Sequence, residues 1–303
     1  MDYVSITWND VCITYNDTAI AYPYEEQYIV FVDSEVEQIC VSNWGDGTGI
    51  KPSQAAQVTT AQFGTTFQGN TEITSFDELQ YFTGLTQLPV NAFNGCTSLS
   101  ALTLPDSIGQ LYGNSLQNLS VGATLNLGDG SPFLRSGNAP SLHRITTVIC
   151  KDLLQYINLY SGSTGASYGC IFGQAAGGAR LFDSAGNEIT SCVIPSTITE
   201  IKANTFAYNK SFTDVTIPAS VTSIGAWAFS NVGTSSEKVT YIVLATTPPT
   251  LANPAAGIGV FTNNNIDTIY VPNGTLSAYQ TATNWSSYAS YMAELDANGN
   301  IPT

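Results

Sequence analysis

Three segments of this 303-residue chain carry one pattern: Leu102-Thr103-Leu104-Pro105, Cys192-Val193-Ile194-Pro195 and Val215-Thr216-Ile217-Pro218. Pro195 and Pro218 stand 23 residues apart, and Leu125-Asn126-Leu127 follows Leu102-Thr103-Leu104 by the same 23. A fixed period of this length leaves few folds open. Each unit is too small to bury an apolar face alone, so units must stack on one another as a solenoid. Take the proline as a zero mark. Leu104, Ile194 and Ile217 lie one before it and Leu102, Cys192 and Val215 three before it, the alternation of a strand with one buried face. Three after the mark come Ile108, Ile198 and Val221, and six after it Leu111, Ile201 and Ile224. Leu116, Phe206 and Phe229 follow at eleven. A further mark at Phe82, 23 before Pro105, puts Leu88 and Phe93 at matching offsets.

The chemistry of each position fits this reading. Proline lacks an N–H, so it suits the end of a short strand and stops the ladder there. Ala92-Phe93, Thr205-Phe206 and Ala228-Phe229 read as a short helical turn. Its ring fills the coil interior, where an aromatic side chain buries about 150–250 Å².

The stretches Leu88 to Pro105 (LPVNAFNGCTSLSALTLP), Ile194 to Ile201 (IPSTITEI) and Ile217 to Phe229 (IPASVTSIGAWAF) resemble the BspA-like leucine-rich repeats of bacterial surface proteins. The resemblance covers 73–130 and 187–285, about half the chain. It implies a secreted or envelope-tethered protein with a role in adhesion. The expected fold class is an α/β solenoid, a right-handed leucine-rich-repeat coil of about 23-residue units with short parallel strands. Its expected divisions are an N-terminal β-meander and helical cap over 1–72, a solenoid over 73–274 with an irregular insertion at about 131–186, and a C-terminal cap over 275–303.

At the N-terminus, Ser5–Trp8, Cys12–Tyr15 and Ala19–Tyr22 alternate between Asn-Asp turns. Asp33 suits the N-cap of a helix with Val36, Ile39 and Cys40 on one face, and a second helix is expected from Ser53 to Val58. Asn43–Ile50 (NWGDGTGI) lies between them. In the resembled family this place looks like a calcium loop. Here Asp46 is its one carboxylate and Gln54 stands where a bidentate Glu would be needed, whereas calcium takes about six to eight oxygens. A glycine-rich turn is the reading adopted, with no metal and no cofactor. Within the insertion, Ile145–Cys150 fits the coil offsets if Lys151 takes the proline place, and the segment around Ala185-Gly186-Asn187 reads as a hairpin. Glycine-rich loops at 161–169 and 173–178 mark the insertion as the place for an individual function. Near the end, Thr268–Pro272 is one more repeat strand, and Leu276–Thr283 a helix with Tyr279, Trp285, Tyr288 and Tyr291 available to cover the last coil.

Charge narrows the functions. Only 10% of residues are charged, against about a quarter ordinarily. Eight Lys and Arg face 23 Asp and Glu, for a net charge of −15. Nucleic acid and anionic membrane want basic patches, so neither is an expected partner. The six Cys, at 12, 40, 96, 150, 170 and 192, contain no Cys-x-x-Cys pair. Cys96 and Cys192 read as small buried hydrophobes, and a disulfide involving Cys12, Cys150 or Cys170 stays open. No run of about 18 apolar residues exists, so no transmembrane helix is expected. No signal peptide is visible; an exported protein would have this sequence after its export signal.

Catalytic chemistry finds little material. The single His143, in Ser141-Leu-His-Arg-Ile145, reads as an outward strand residue, and no Gly-x-Ser-x-Gly elbow is present. Asp33, Glu35, Glu37, Asp77 and Glu78 cluster at spacings that suit capping, not a cleft. No glycine segment has a phosphate-binding context. Tyr22, Tyr24, Tyr28, Tyr156, Tyr160 and Tyr168 fall outside the repeat core, and covering the cap and insertion cores is preferred to binding for them. The expected function is therefore non-enzymatic: display of outward strand residues to an unidentified extracellular macromolecule, a host or microbial protein or a glycan. The candidate contacts are Ser100, Thr103, His143, Arg144, Thr213, Asp214 and Thr216. The alternative is a surface glycan-binding protein that uses exposed aromatics.

Overall fold

Parallel pairing of short strands, one or two per coil, builds the repeats. The computed structural model describes residues 26–111, 114–134, 142–160, 172–252 and 259–302, and the backbone of 12–15 and 18–21. In the latter, β1 (Cys12–Tyr15) and β2 (Thr18–Ala21) pair antiparallel, with Cys12 opposite Ala21. The third expected strand, Ser5–Trp8, lies outside the described residues.

The strands β3 (Ser75–Phe76), β5 (Ala101–Thr103), β7 (Ala123–Asn126), β9 (Ile145–Cys150) and β10 (Arg180–Asp183) form a five-stranded parallel sheet in that order. The same run carries a three-stranded sheet of β4 (Gln87–Leu88), β6 (Gln110–Leu111) and β8 (Phe133–Leu134). A second run repeats the plan. Its five-stranded sheet is β11 (Ser191–Val193), β13 (Asp214–Ile217), β15 (Val239–Val243), β17 (Ile266–Val271) and β18 (Met292–Glu294). Its three-stranded sheet is β12 (Glu200–Ile201), β14 (Ser223–Ile224) and β16 (Thr250–Leu251).

Register follows the offsets. Leu102 stands opposite Leu125 and Leu125 opposite Val148, so Lys151 does take the proline place. Cys192 faces Val215 and Ile201 faces Ile224. The period stretches where turns take extra residues: Phe76 faces Leu102 across a 3-10 turn at Asp77–Tyr81, and Val215 faces Tyr241. Each proline has a second task. The carbonyls of Pro105, Pro195 and Pro218 accept from the N–H of Ile108, Ile198 and Val221 at 3.1, 3.0 and 3.1 Å, closing the same turn in three coils.

Aromatic rings run through the second block as a ladder. Phe206 and Phe229 have centroids 5.3 Å apart and planes 14° apart; Phe229 and Phe261 are 5.6 Å and 9° apart. Tyr156 extends the ladder backwards onto Phe206 at 6.0 Å. At the other end Trp44, Phe63, Phe67, Phe76, Phe82 and Phe93 pack as tilted and edge-to-face pairs, Trp44 lying flat on Phe63 at 5.5 Å. Trp44 ends α1 (Ser34–Trp44), which Asp33 joins to the repeats. One Asp33 oxygen accepts from the N–H groups of Glu35 and Val36, the other from Thr74 N–H at 2.6 Å and Thr74 Oγ1 at 2.8 Å. The helix expected from Ser53 to Val58 is the single turn α2 (Pro52–Ala55), started by its proline, and a further turn, α3 (Thr60–Phe63), capped by Thr59, follows it.

At the far end α5 (Leu276–Thr281) and a 3-10 helix, Trp285–Tyr291, lie against the last coils. Buried Tyr279 and Trp285 each donate to a backbone carbonyl, Tyr279 to Ala245 and Trp285 to Pro249. The helix stops two residues short of the expected Thr283, and β18 adds a strand that the repeat pattern does not announce. Cys40, Cys96, Cys150 and Cys192 are buried free thiols, and burial pushes the Cys96 and Cys150 thiols up to about 11 and about 12. Of the cysteines considered for a disulfide, Cys150 is thus unpaired, and the side chains of Cys12 and Cys170 lie outside the described residues.

Among the described residues the main sheet is in two parts, one ending at β10 and the other beginning at β11. Within the 131–186 stretch β9, α4 (Leu153–Asn158) and β10 are regular. After β10 the chain turns at Asp183–Asn187, where Asp183 accepts from Ala185 N–H and Asn187 N–H, so the expected hairpin is present. It runs back antiparallel, Glu188 against Phe182, before β11 begins the second sheet. Across the junction Ala179 pairs with Asn209, and Ser211 Oγ accepts from Leu181 N–H at 2.8 Å.

Two outcomes follow for stability. Phe229→Ala removes the middle rung of a buried ladder and should destabilise by about 3–5 kcal/mol. A double-mutant cycle with Phe206→Ala should show coupling of about 0.5–1.5 kcal/mol; independent effects would mean the rings do not act as a stack. For Asp33, burial alone would raise the pKa, but the hydrogen bonds from Thr74, Val36 and Glu35 outweigh it and hold the carboxyl below its ordinary value. Its stabilisation is therefore complete above about pH 4 and is lost as pH falls through the lowered folded value. Acid denaturation curves should show wild type losing its advantage over Asp33→Asn across that window, and a constant difference would contradict the assignment.

Candidate functional site

Strand alternation puts two kinds of outward surface on the main sheets. On the first, Ala101, Thr124, Thr147 and Arg180 align in one row, and Thr103, Asn126 and Ile149 in the next. On the second, Ser191, Asp214 and Thr240 align, beside Val193, Thr216, Ile242 and Tyr270. The candidate contacts fall on both and do not gather at one point. Ser100 and Thr213 stand just before β5 and β13 and are exposed, while Thr103, Asp214 and Thr216 lie on the strands, half-buried. His143 and Arg144 precede β9 in its entering turn and are half-buried, not outward strand residues. Arg144 Nη1 donates to the Leu119 carbonyl at 3.1 Å, and the His143 carbonyl accepts from Ala175 N–H.

Several of these polar groups also hold adjacent coils together. Ser100 Oγ donates to Thr74 O, and Thr213 Oγ1 lies within reach of both Thr190 O and Asp214 Oδ2. Thr103 Oγ1 donates to Asp77 Oδ1 at 2.7 Å, and Asp214 accepts from Ser191 Oγ at 2.5 Å. The tyrosines divide. Tyr156 and Tyr160 are buried against the core, Tyr28 remains partly exposed, and Tyr22, Tyr24 and Tyr168 lie outside the described residues.

Asp46 is occupied within its own loop. Its Oδ1 accepts from Thr48 N–H and Gly49 N–H, and its Oδ2 from the Tyr28 hydroxyl at 2.9 Å; these bonds hold its pKa down. Gln54 Oε1 accepts from Lys51 N–H and caps α2. Among the described residues no group of three His, Cys, Asp or Glu side chains converges as a metal site would require.

A cavity of about 570 Å³ opens at the junction of the two sheets. Thr146 and Thr147 of β9, Gly177 and Gly178 and Arg180 line it from the first run. Lys210, Thr234 and Ser235 line it from turns of the second. The part from the first run falls inside the 131–186 stretch, while the second-run residues were not candidates from sequence. A signal for Lys210 existed: it stands 15 after Pro195, where the next coil has Gly233 15 after Pro218. Lys210 Nζ donates to Asn231 O at 2.5 Å and Gly233 O at 2.8 Å, and burial lowers its pKa.

Stacked parallel coils with an aromatic interior and outward polar rows define the class: a repeat protein of the leucine-rich type. The chain belongs to the BspA type leucine rich repeat family, whose model matches six copies over residues 65–161 and 178–289. The interruption at 162–177 lies in the irregular stretch before β10. Among solved structures, a leucine rich cell surface protein from Faecalibacterium prausnitzii A2-165 is similar at 14% identity and a TM-score of 0.31, over 76% of this chain and 64% of that one. The chain thus spans less than two thirds of that protein's length. No curated protein matches this chain. No helix among the described residues is long and apolar enough to cross a membrane.

Because the Asp46 carboxylate is engaged by two N–H groups of its own loop and by the Tyr28 hydroxyl, chelator should leave the melting temperature unchanged. A fall in melting temperature with chelator that calcium reverses would overturn the turn assignment.

Proposed function

We propose that this protein is a non-enzymatic extracellular or envelope-tethered member of its family that mediates adhesion or protein–protein interaction through the outward faces of its two main sheets. The observation carrying this reading is the in-register outward rows, two on each sheet, of mostly uncharged side chains on rigid parallel strands. Such a surface presents many weak polar contacts at fixed spacing, which suits an extended partner more than a small reactant. Ser100, Thr103, His143, Arg144, Thr213, Asp214 and Thr216 serve as contacts, with Asp214 the charged member of its row. The partner is an extracellular macromolecule, protein or glycan.

In this reading the stack is a right-handed coil over 73–274. Residues 1–72 cap one end, where Trp44 packs on Phe63 and Phe82, and 275–303 cap the other, where Trp285 packs near Phe261. These apolar contacts support the capping role, because an open solenoid end leaves its core and strand edges exposed. A second reading, glycan binding at the cell surface, draws support from the polar cavity at the junction rather than from exposed aromatics, since Tyr156 and Tyr160 are buried.

The test is a binding screen on immobilised matrix proteins and polysaccharides, with Asp214→Ala, Thr216→Ala as a double variant. Binding should weaken by about tenfold with the melting temperature held. Binding that ignores the double variant would remove the outward face as the contact. Parallel assays on glycoside, peptide and ester substrates should show no turnover. Turnover that survives repurification and is lost on changing one carboxylate would end the non-enzyme reading.

A further inference from the structure

The cavity at the junction concentrates positive charge on a strongly acidic chain. Two of the eight basic residues, Arg180 and Lys210, line it, whereas the molecule as a whole carries −15. Lys210 is held in place: its aliphatic stem lies over Gly178 so closely that a Cβ there would collide with it. Two of its three ammonium donors go to the carbonyls of Asn231 and Gly233, and no carboxylate pairs with it among the described residues. A half-buried cation without a counter-charge favours an anion placed beside it. Arg180 spends Nη1 on the two oxygens of Glu188, at 2.8 and 2.9 Å. Its Nη2 and Nε meet no acceptor among the described residues. The Glu188 charge is already answered by Arg180 and by Ser211 Oγ, so the local balance stays positive.

The rest of the wall is hydroxyls, glycine backbone and the methyl of Ala176. Among the described residues nothing engages the hydroxyls of Thr146, Thr147 or Ser235; that of Thr234 is used in its own turn, with Glu237 N–H and Ser236. At about 570 Å³ the cavity is far larger than an inorganic anion needs and falls within the range of small-ligand clefts, about 300–1,000 Å³. Its lining is more polar than apolar, and Ala176 is its one residue with a purely hydrocarbon side chain. A ligand with one negative charge, several hydroxyls and the C–H face of a ring matches the two cations, the hydroxyls and Ala176.

We propose that this cavity binds an acidic saccharide, with the sugar carboxylate at Lys210 and Arg180 and the ring hydroxyls on Thr146, Thr147 and Ser235. The site deepens the surface-binding reading and rests on it only for the setting in which glycans are met; its contacts are separate from the outward rows around Asp214.

Titration calorimetry and ligand-observed NMR on the full chain would test it with two acidic probes, oligogalacturonate and sialyllactose, beside lactose, poly-glutamate and inorganic phosphate. At least one acidic sugar should bind at least about tenfold more tightly than lactose, more weakly as salt rises. Lys210→Met and Arg180→Gln should each cost about tenfold in affinity, and Thr147→Val, Ser235→Ala severalfold. Asp214→Ala, Thr216→Ala should leave saccharide affinity unchanged, which separates this site from the outward rows of the second sheet. Lys210→Met also removes two bonds between coils, so the exposed Arg180→Gln, with its melting temperature checked, carries the decision if the lysine variant fails to fold. The proposal is overturned if neither acidic sugar binds at millimolar concentration, if lactose binds equally, if poly-glutamate or phosphate binds as tightly as the sugars, or if affinity survives Arg180→Gln. Which acidic sugar binds identifies the source, plant-type uronate or host-type sialate.

Discussion

Hydrogen bonding between equivalent backbone positions of successive coils is the constraint on which the rest depends. Parallel strands settle about 4.8 Å apart, and that interval is imposed on everything inside the coil. Aromatic planes stack at slightly more than this distance, which is why Phe206, Phe229 and Phe261 follow one another at 5.3 and 5.6 Å without drifting out of register. The corners obey the same rule. Phe206 N–H donates to Ala228 O and Tyr208 N–H to Ser230 O, so the ring-bearing turn is laddered as the strands are. Asn91, Asn204 and Trp227 all take positive φ at one corner position, a conformation asparagine accepts readily and tryptophan does so only where its surroundings enforce it.

Much of this was legible in the chain. The proline mark located β5, β11 and β13, and the offsets behind it located β6, β12, β14 and the buried rings, because each depends on local spacing. Asp33 was readable as a cap for the same reason. What escaped depends on contacts between distant segments. Met292–Glu294 has no alternation of its own and becomes a strand only because β17 offers it an edge. The break between the sheets arises because residues after Asp183 turn back instead of advancing one coil, and a hairpin motif does not say what its strands pair with. The cavity is of the same kind: Thr147, Arg180, Lys210 and Ser235 come from four separate turns and strands, and stacking alone brings them together.

Under the proposed function the outward faces carry two duties at once. A hydroxyl such as that of Ser100 gives its proton to the preceding coil and still has acceptor capacity left for a partner. A binding surface made this way is stiff, since the groups that would touch a partner are already fixed by the scaffold, and little conformational entropy is left to lose on contact. It also explains why the composition is rich in Ser and Thr and poor in charge: longer ionic side chains would neither reach back to the neighbouring coil nor hold still.

The junction between β10 and β11 has a mechanical meaning. Load applied along a stack of coils passes through every coil-to-coil contact in series, and each contact feels the full tension. Where neighbouring strands share a continuous ladder, several bonds resist together. At the junction, among the described residues, the two sheets meet through the bridge around Ala179 and Asn209, the Ser211 hydroxyl and the flat contact of Tyr156 on Phe206. Under flow or traction on its ends, a molecule built this way yields there first, shedding extension while each block of coils stays whole.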